Sequence, residues 1–275
     1  MEDRTIIKLE NISKEYRIYK SNRQKVAHEL FGFNKGIPFH ALKDVNIEIK
    51  KGENVAIIGN IGSGRSTLAK IISGVTFPTE GTAEVEGKIL PIFDMRSGFD
   101  MNFTGRDNIY MKGRMLGWTK EQVAEREEEI IRFAELDRLI DMKMKAFKPV
   151  DISRLGFSMM AVDDNDIMVF DCFLAVGNLD QRARCVAKLK EITSDENRTL
   201  VMVNNIWPIT VELCTRGIVL HEGMVMYDGP LDEAIKEFRT KYKTKVLTAG
   251  EDEEHKDDHK DDQSDDDKEH EIQDF

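Results

Sequence analysis

The sequence contains few cysteine residues and no long run of apolar residues. Its three cysteines, at positions 172, 185 and 214, show no close paired spacing, so that we expect no disulfide framework and a reducing compartment. No uninterrupted apolar stretch approaches the ~18 residues of a membrane span. The first ten residues also lack the basic and apolar blocks of a signal peptide. These absences predict a cytosolic protein that needs a partner for any role at a membrane.

The chain also lacks a surplus of positive charge outside its C-terminal segment. The formal net charge of −11 arises in residues 251–275, which contain 14 acidic residues and 3 lysines. The rest of the chain contains 37 acidic and 37 basic residues and is therefore neutral. A nucleic-acid-binding domain needs basic residues in excess to meet phosphates, so we expect no nucleic acid partner. The acidic segment has almost no apolar residues, which predicts disorder.

Segments typical of strands alternate with segments typical of helices. Strand patterns occur at residues 5–19, 41–59, 81–93, 165–171, 199–205 and 217–229, the second with a Lys-Gly turn inside it and the last as a hairpin. Helical patterns occur at residues 66–74, from 119 to about 144, and at 181–192. This alternation predicts an α/β fold with a mainly parallel sheet.

The stretch GNIGSGRST, residues 59–67, is close to the phosphate-loop pattern G-x-x-x-x-G-K-[ST]. It lies between a predicted buried strand and a predicted helix, which is the context of a true phosphate loop. Glycines at positions 59, 62 and 64 would let the main chain approach phosphates, and the helix N-terminus would direct N–H groups at them. Arg65 stands where the pattern has lysine. A glycine-rich turn without a ligand is the alternative.

A magnesium site is expected beside this loop. Ser66 would supply its hydroxyl to the metal ion. Asp171 closes an apolar strand about 105 residues further on, where nucleoside triphosphatases place a magnesium carboxylate. With Asn60, Ser63 and Thr67, these residues and the loop glycines complete the predicted nucleotide site.

The order of these segments resembles the ATP-binding subunit of ABC transporters, and more narrowly the subgroup that exports teichoic acid, O-antigen and capsule polysaccharides. The similar stretches include ISKEYRIYK, ALKDVNIEIKKGENVAIIG, FTGRDNIYMKGRMLGWTKEQV and DCFLAVGNLDQRARC, and they extend over about residues 5–240. The resemblance implies an ABC-type P-loop core with an antiparallel β subdomain and an inserted helical subdomain at about residues 105–155. This ATP-binding domain would span residues 1–245, and an acidic disordered tail would follow at 246–275.

The resemblance also implies ligands and partners. ATP and Mg would be the cofactors, and Tyr16 would stack on adenine, although an ordinary strand aromatic is an equal alternative. A membrane-spanning permease would be the partner, together with a homodimer or a heterodimer with another ABC ATP-binding subunit. Each nucleotide would lie between the glycine loop of one subunit and a short signature of the other. The protein would then be cytoplasmic and peripheral at the inner face of the cell membrane.

Four positions depart from the pattern of this family. The Ser/Gly signature is replaced by FKPVD (147–151), in which proline lacks a donor and aspartate repels phosphate. Cys172 stands where a glutamate polarises water, and Asn204 and Asn205 stand where a histidine contacts the γ-phosphate. Arg65 replaces the lysine of the loop. We therefore expect weak nucleotide binding, no catalytic residues and a pseudo-ATPase. A soluble regulatory or scaffold protein on the same fold is the second hypothesis, and an intact ATPase is the third.

Overall fold

A computed structural model describes residues 4–21, 36–171, 177–203 and 207–242, which belong to one unit by their mutual contacts. In this described part of the chain, no helix is long and apolar enough to cross a membrane. The predicted domain boundary at residue 245 and the acidic tail lie outside the described residues.

The described elements, in chain order, are strands β1 (Thr5–Ile18), β2 (Ile37–Lys50) and β3 (Asn54–Gly59), helix α1 (Arg65–Ile72), strands β4 (Glu80–Val85) and β5 (Ile89–Ile92), helices α2 (Gly105–Met115) and α3 (Lys120–Ala134), a 3-10 turn (Met144–Ala146), helix α4 (Pro149–Ala161), strand β6 (Ile167–Phe170), helix α5 (Leu179–Thr193), strand β7 (Thr199–Met202), helix α6 (Trp207–Leu213), strands β8 (Arg216–His221) and β9 (Met224–Pro230), helix α7 (Leu231–Glu237) and a π-helical turn (Phe238–Tyr242).

The central sheet has six strands in the order β5-β6-β7-β3-β8-β9. The first five strands are parallel, and β9 pairs with β8 in the antiparallel sense. Strand β3 is buried on both faces: Ala56 and Ile58 belong to one hydrophobic cluster, and Val55 and Ile57 to another. Such two-sided burial explains the continuous apolar runs in the sequence. Because β3, β6 and β7 run in the same direction, their carboxyl ends lie at the same edge of the sheet.

A second sheet is antiparallel and has the order β2-β1-β4. Its apolar side chains, such as Ile7, Leu9 and Ile47, share a cluster with Val55 and Ile57 of the central sheet. The two sheets therefore bury their facing sides against each other, which fixes β1 and β2 beside the start of α1.

Helices α2, α3 and α4 form a separate cluster around Trp118, Val123 and Ile130. Helix α4 joins this cluster to the core, because its Leu155 packs in the helical cluster and its Phe157 packs against the central sheet. A helix that is apolar nearly all round is expected at such a junction.

The structure confirms the predicted α/β class, the mainly parallel sheet, the antiparallel β subdomain and the hairpin formed by β8 and β9. The hairpin turns at Glu222 and Gly223, whose φ angles are 47° and 83°. The helical pattern from residue 119 does not continue to 144, because α3 ends at Ala134. Glu135 adopts the left-handed conformation (φ 55°) and ends the helix there.

Candidate nucleotide site

The glycine loop connects the carboxyl end of β3 to the N-terminus of α1, as predicted. Gly64 is the N-cap of α1 and has a φ of 103°. A Cβ atom at this position would lie 2.4 Å from the carbonyl oxygen of Ala41. Both facts restrict the position to glycine, because an L-residue would be strained in φ and would collide with the backbone of β2. The loop is therefore held close against the antiparallel sheet.

The loop surrounds a cavity of about 280 Å³. The described residues that line it include every loop residue predicted for the site after the first glycine, together with two residues of β2: Phe39, Ala41, Asn60, Ile61, Gly62, Ser63, Gly64, Arg65, Ser66 and Thr67. Tyr16 and Asp171 are not among these lining residues. Sequence reasoning missed Phe39, which reaches the cavity through the register of β2 with β1, where it pairs with Tyr16.

The N-terminus of α1 is suited to an anion. Its N-cap residue, Gly64, supplies no side-chain cap, and its first turn contains no acidic residue. The first N–H groups of a helix have no partner within the helix and carry a partial positive charge, so a phosphate group is a favourable ligand there. The positive φ angles of Gly62 and Gly64 orient the loop around the same point.

Arg65 lies close enough to Asp171 for their charges to interact. Burial lowers the pKa of the Arg65 guanidinium, and the nearby Asp171 carboxylate opposes this shift. The backbone N–H of Asp171 donates to the carbonyl oxygen of Ile92 over 2.9 Å, which extends the pairing of β5 with β6 by one residue. The Asp171 carboxylate thus interacts electrostatically with a loop residue, and its role toward magnesium stays a prediction.

The residues near the loop have the donor chemistry that magnesium and phosphate require. Oxygen ligands suit Mg²⁺, and the Ser66 hydroxyl and the Asp171 carboxylate are of that kind. The Ser63 hydroxyl, in a residue only 4% exposed, has no hydrogen-bond partner in the described part of the chain. A buried hydroxyl without a partner is uncommon and is consistent with a polar ligand in the cradle.

Two contacts attach the loop to the C-terminal part of the described chain. The N–H of Gly223, in the hairpin turn, donates to the carbonyl oxygen of Ser63 over 3.0 Å. The side-chain amide of Asn60 donates to the carbonyl oxygen of Tyr242, whose ring lies 4.8 Å from the ring of His221. These contacts join segments distant in sequence, and no local pattern predicted them.

The stretch FKPVD lies at the start of α4. Pro149 is the first residue of that helix. Asp151 is 7% exposed, and its carboxylate accepts the backbone N–H of Lys148 over 3.0 Å. The same carboxylate accepts from the guanidinium of Arg154 over 2.5 Å. The N-terminus of α4, in contrast to that of α1, therefore already holds an anion supplied by its own chain.

Arg154 connects this helix start to two other helices. It also donates to the carboxylate of Glu135 over 3.1 Å, and Gln181 donates to the same carboxylate over 2.9 Å. Arg184 contacts the second oxygen of Glu135, and these hydrogen bonds lower the pKa of the Glu135 carboxyl group. The start of α4 is therefore part of a charged network rather than an open backbone surface.

The other departures from the family pattern lie outside the described residues. Cys172, Asn204 and Asn205 follow directly after Asp171 and Val203, so only the chain positions before them are described. Val203 donates its N–H to the carbonyl oxygen of Phe170 over 2.8 Å. The effect of the three altered residues on chemistry stays a prediction.

A second cavity, of about 430 Å³, lies between the central sheet and the helical cluster. Its lining includes Ile92, Met95, Met115 and Met160. Met115 is 73% exposed. The ammonium group of Lys112 also lines it, 4.1 Å from the centre of the Phe99 ring, and burial lowers the pKa of this lysine to about 8.

The sequence of this chain is similar to those of several known proteins. The sequence profile described as ABC transporter matches residues 42–171. The ABC transporter protein AbcA of Aeromonas salmonicida is 32% identical over 224 residues, which cover 82% of this chain and 72% of that protein. The O-antigen export system ATP-binding protein RfbB of Klebsiella pneumoniae is 29% identical over 85% of this chain and 97% of its own length.

A longer relative and a solved structure are also similar to this chain. The teichoic acids export ATP-binding protein TagH of Bacillus anthracis is 33% identical over 86% of this chain, which spans only 43% of that protein. A solved dimeric ATP-binding cassette, in a post-hydrolysis state bound to ADP and phosphate, has a TM-score of 0.65 at 22% identity and covers 82% of this chain and 98% of its own. The relatives establish the family and the solved structure establishes the fold: the chain belongs to the ATP-binding subunits of ABC transporters.

Proposed function

We propose that the protein is the nucleotide-binding subunit of a polysaccharide-export ABC transporter and is impaired in ATP hydrolysis. The relatives named for O-antigen and teichoic acid export support the transport role. The observation that carries the second part is the start of α4, where the Asp151 carboxylate accepts the backbone N–H of Lys148 and would repel an incoming phosphate.

Nucleotide binding is proposed at the loop of this same chain. The uncapped start of α1 and the glycine loop would hold the phosphates, and Arg65 would supply charge in place of lysine. Ser66 and Asp171 would hold the magnesium ion. Arginine is longer, planar and forked, so this replacement in a tight loop is expected to weaken binding.

Hydrolysis is proposed to be slow because water activation and phosphate contacts are both altered. A thiol at position 172 is a poor base, and asparagine at position 205 does not carry the charge of a protonated histidine. Removing one such group costs roughly 10²–10³ in rate, and the costs need not add.

A pair of assays tests the nucleotide part of the proposal. Thermal unfolding should show a higher melting temperature with Mg–ATP, because a ligand that binds only the native state stabilises it. Phosphate release should be no faster than for Gly64→Ala, whose loop cannot keep its geometry. Turnover near ~1 s⁻¹ or above would contradict impaired hydrolysis, and the absence of any thermal shift with ATP or ADP would contradict nucleotide binding.

The membrane partner is proposed to dock at the cavity beside Met115. The exposed side chain of Met115, which lines this cavity, offers an adaptable apolar contact. The protein would then lie at the inner face of the membrane, as a homodimer or as a heterodimer with a second ATP-binding subunit.

Co-expression with a candidate permease tests this docking. The wild type should enter the membrane fraction, and Met115→Asp should return it to the soluble fraction without lowering its melting temperature. Met142→Asp is the matched control, because Met142 is 48% exposed but does not line this cavity. Wild-type protein that stays soluble beside the permease would instead support a regulatory or scaffold protein.

A further inference from the structure

The last described turn of the chain, Phe238–Tyr242, lies against the phosphate loop. Phe238 is 3% exposed and belongs to the hydrophobic cluster that also contains Ile58 of β3. The half-buried ring of Tyr242 packs against the same cluster, and its centre lies 4.8 Å from the centre of the His221 ring. Ring contacts and burial therefore anchor both ends of this segment, which we name the C-terminal turn.

The first half of the phosphate loop, Asn60–Ser63, is open on its outer side. Ile61 is 92% exposed, and a Cβ atom added to Gly62 would meet no atom within 4 Å. The N–H of Ser63 donates to the carbonyl oxygen of Asn60 over 3.1 Å, which closes a tight turn. A turn with so little apolar packing is not held in place by its own side chains, so contacts from neighbouring segments must position it.

Two hydrogen bonds hold this half of the loop from outside. The N–H of Gly223 donates to the carbonyl oxygen of Ser63, and the side-chain amide of Asn60 donates to the carbonyl oxygen of Tyr242. The first joins backbone groups, and Gly223 is itself fixed, because its carbonyl oxygen accepts the N–H of Lys43 over 2.9 Å. The second depends on one side chain and on the C-terminal turn, so it is lost whenever that turn leaves the loop.

We propose that the C-terminal turn positions the phosphate loop through the Tyr242 carbonyl and the Asn60 amide, so that nucleotide affinity depends on the turn being docked. This inference rests on the proposed nucleotide binding and adds a regulation of that site. A loop binds phosphate through backbone N–H groups that must converge, and ordering the loop in advance reduces the free energy that binding has to supply. The coupling is reciprocal, so bound nucleotide should also hold the turn against the loop.

Equilibrium titration of the full chain with Mg–ATP tests the proposal in a double-mutant cycle. Asn60→Ala removes the donor, and Tyr242→Ala removes the ring that holds the turn beside His221. Each should weaken binding about threefold to tenfold, which corresponds to one hydrogen bond. The double variant should bind no more weakly than either single variant, because both changes remove the same contact.

Two control variants separate the contact from a general disturbance of the turn. Tyr242→Phe keeps the ring and should retain most of the affinity. Lys241→Ala changes a neighbouring side chain that is 62% exposed and pairs with Glu237, so it should leave the affinity for Mg–ATP unchanged.

Amide hydrogen exchange measures the coupling in the opposite direction. Saturating Mg–ATP should slow exchange of the amides of Phe238–Tyr242 about threefold to tenfold in the wild type and leave it unchanged in Asn60→Ala. A contact that only stabilised the fold would not make this exchange depend on the ligand.

The other outcomes are distinguishable. Additive losses for Asn60→Ala and Tyr242→Ala would mean that Asn60 contacts the ligand directly, and they would overturn the proposal, as would unchanged affinity of Tyr242→Ala. Melting temperatures of the unliganded variants report folding. If Tyr242→Ala does not fold, His221→Ala takes its place with the same expectation, because it removes the partner ring. If Mg–ATP does not bind the wild type at all, the proposed nucleotide function fails, and this inference fails with it.

Discussion

Replacing Asp151 by alanine should destabilise the protein, because the carboxylate of this residue holds the start of α4 in place through two hydrogen bonds. Its carboxylate accepts the N–H of Lys148 and the guanidinium of Arg154, at 3.0 and 2.5 Å. The side chains of Asp151 and Arg154 are only 9% and 13% exposed. Alanine would remove the acceptor of the Lys148 N–H at the start of α4 and leave a largely buried guanidinium with Glu135 as its remaining acidic partner.

The two losses can be estimated separately. The lost hydrogen bond from the Lys148 N–H costs about 1 kcal/mol. Leaving one partner of a buried ion pair uncompensated costs about 3–5 kcal/mol, and the retained bond to Glu135 reduces that figure. We expect a total of about 3 kcal/mol. At about 2–4 °C per kcal/mol for a domain of this size, the melting temperature should fall by roughly 6–12 °C.

Urea denaturation followed by circular dichroism measures this free energy. Asp151→Asn is the matched control, because an amide keeps the acceptor for Lys148 but loses the charge that faces Arg154. It should cost about half as much as alanine, since hydrogen bonds to charged groups are about twice as strong as neutral ones. A loss of less than about 1 kcal/mol in the free energy of unfolding for Asp151→Ala would refute the view that the Asp151 carboxylate stabilises the start of α4.

Three further outcomes follow from other parts of the site. Gly64→Ala should destabilise the protein by about 1–3 kcal/mol more than Gly62→Ala in urea titrations. Both glycines have a positive φ, but only at Gly64 would a Cβ atom meet the backbone, 2.4 Å from the carbonyl oxygen of Ala41. Equal losses of stability for the two variants would contradict this reasoning. Arg65→Lys should raise the affinity for Mg–ATP in binding titrations without giving measurable phosphate release, and robust turnover would contradict the predicted roles of the other altered positions. Because burial lowers the pKa of Lys112 from 10.5 to about 8, the folded protein loses this proton while the unfolded chain keeps it. The free energy of unfolding of the wild type, relative to that of Lys112→Met, should therefore rise by up to about 2 kcal/mol between pH 8 and 9.5. Urea titrations that give the same difference between the two proteins at both pH values would contradict this prediction.

The parts of the fold that depend on local pattern could be predicted from the sequence. The buried run before Gly59 predicted β3, and its position before a glycine-rich stretch predicted the phosphate loop. The end of α3 could not be predicted in the same way, because Glu135 leaves the helix to meet Arg154 and Gln181. Those partners lie on helices that come later in the chain, so tertiary contacts decided the boundary.

The residues of the candidate site could also be predicted only in part. The loop residues and Asp171 follow from motif spacing and from the shared edge of parallel strands. Phe39 and Tyr242 could not be identified from spacing, because they reach the loop through strand register and through the packing of the C-terminal turn. The burial of Asp151 could not be predicted either, because its sequence context indicated only that its negative charge would repel phosphate.

The contrast between the two helix starts leads to a last prediction, about self-association. The N-cap of α1 is a glycine that supplies no capping side chain, and its first turn has no acidic residue, whereas the Asp151 carboxylate lies at the start of α4. If ATP bound at the loop of one copy had to meet the start of α4 in a second copy, its phosphates would face this carboxylate. Two unpaired negative charges 4 Å apart repel by about 4 kcal/mol at an effective dielectric constant of 20, and the ion pair of Asp151 with Arg154 reduces this figure. Sedimentation velocity at micromolar concentration should therefore show no more dimer with Mg–ATP than with Mg–ADP or without nucleotide. Dimerisation driven by Mg–ATP would mean that the start of α4 still accepts phosphate, and it would remove the main structural reason for proposing impaired hydrolysis.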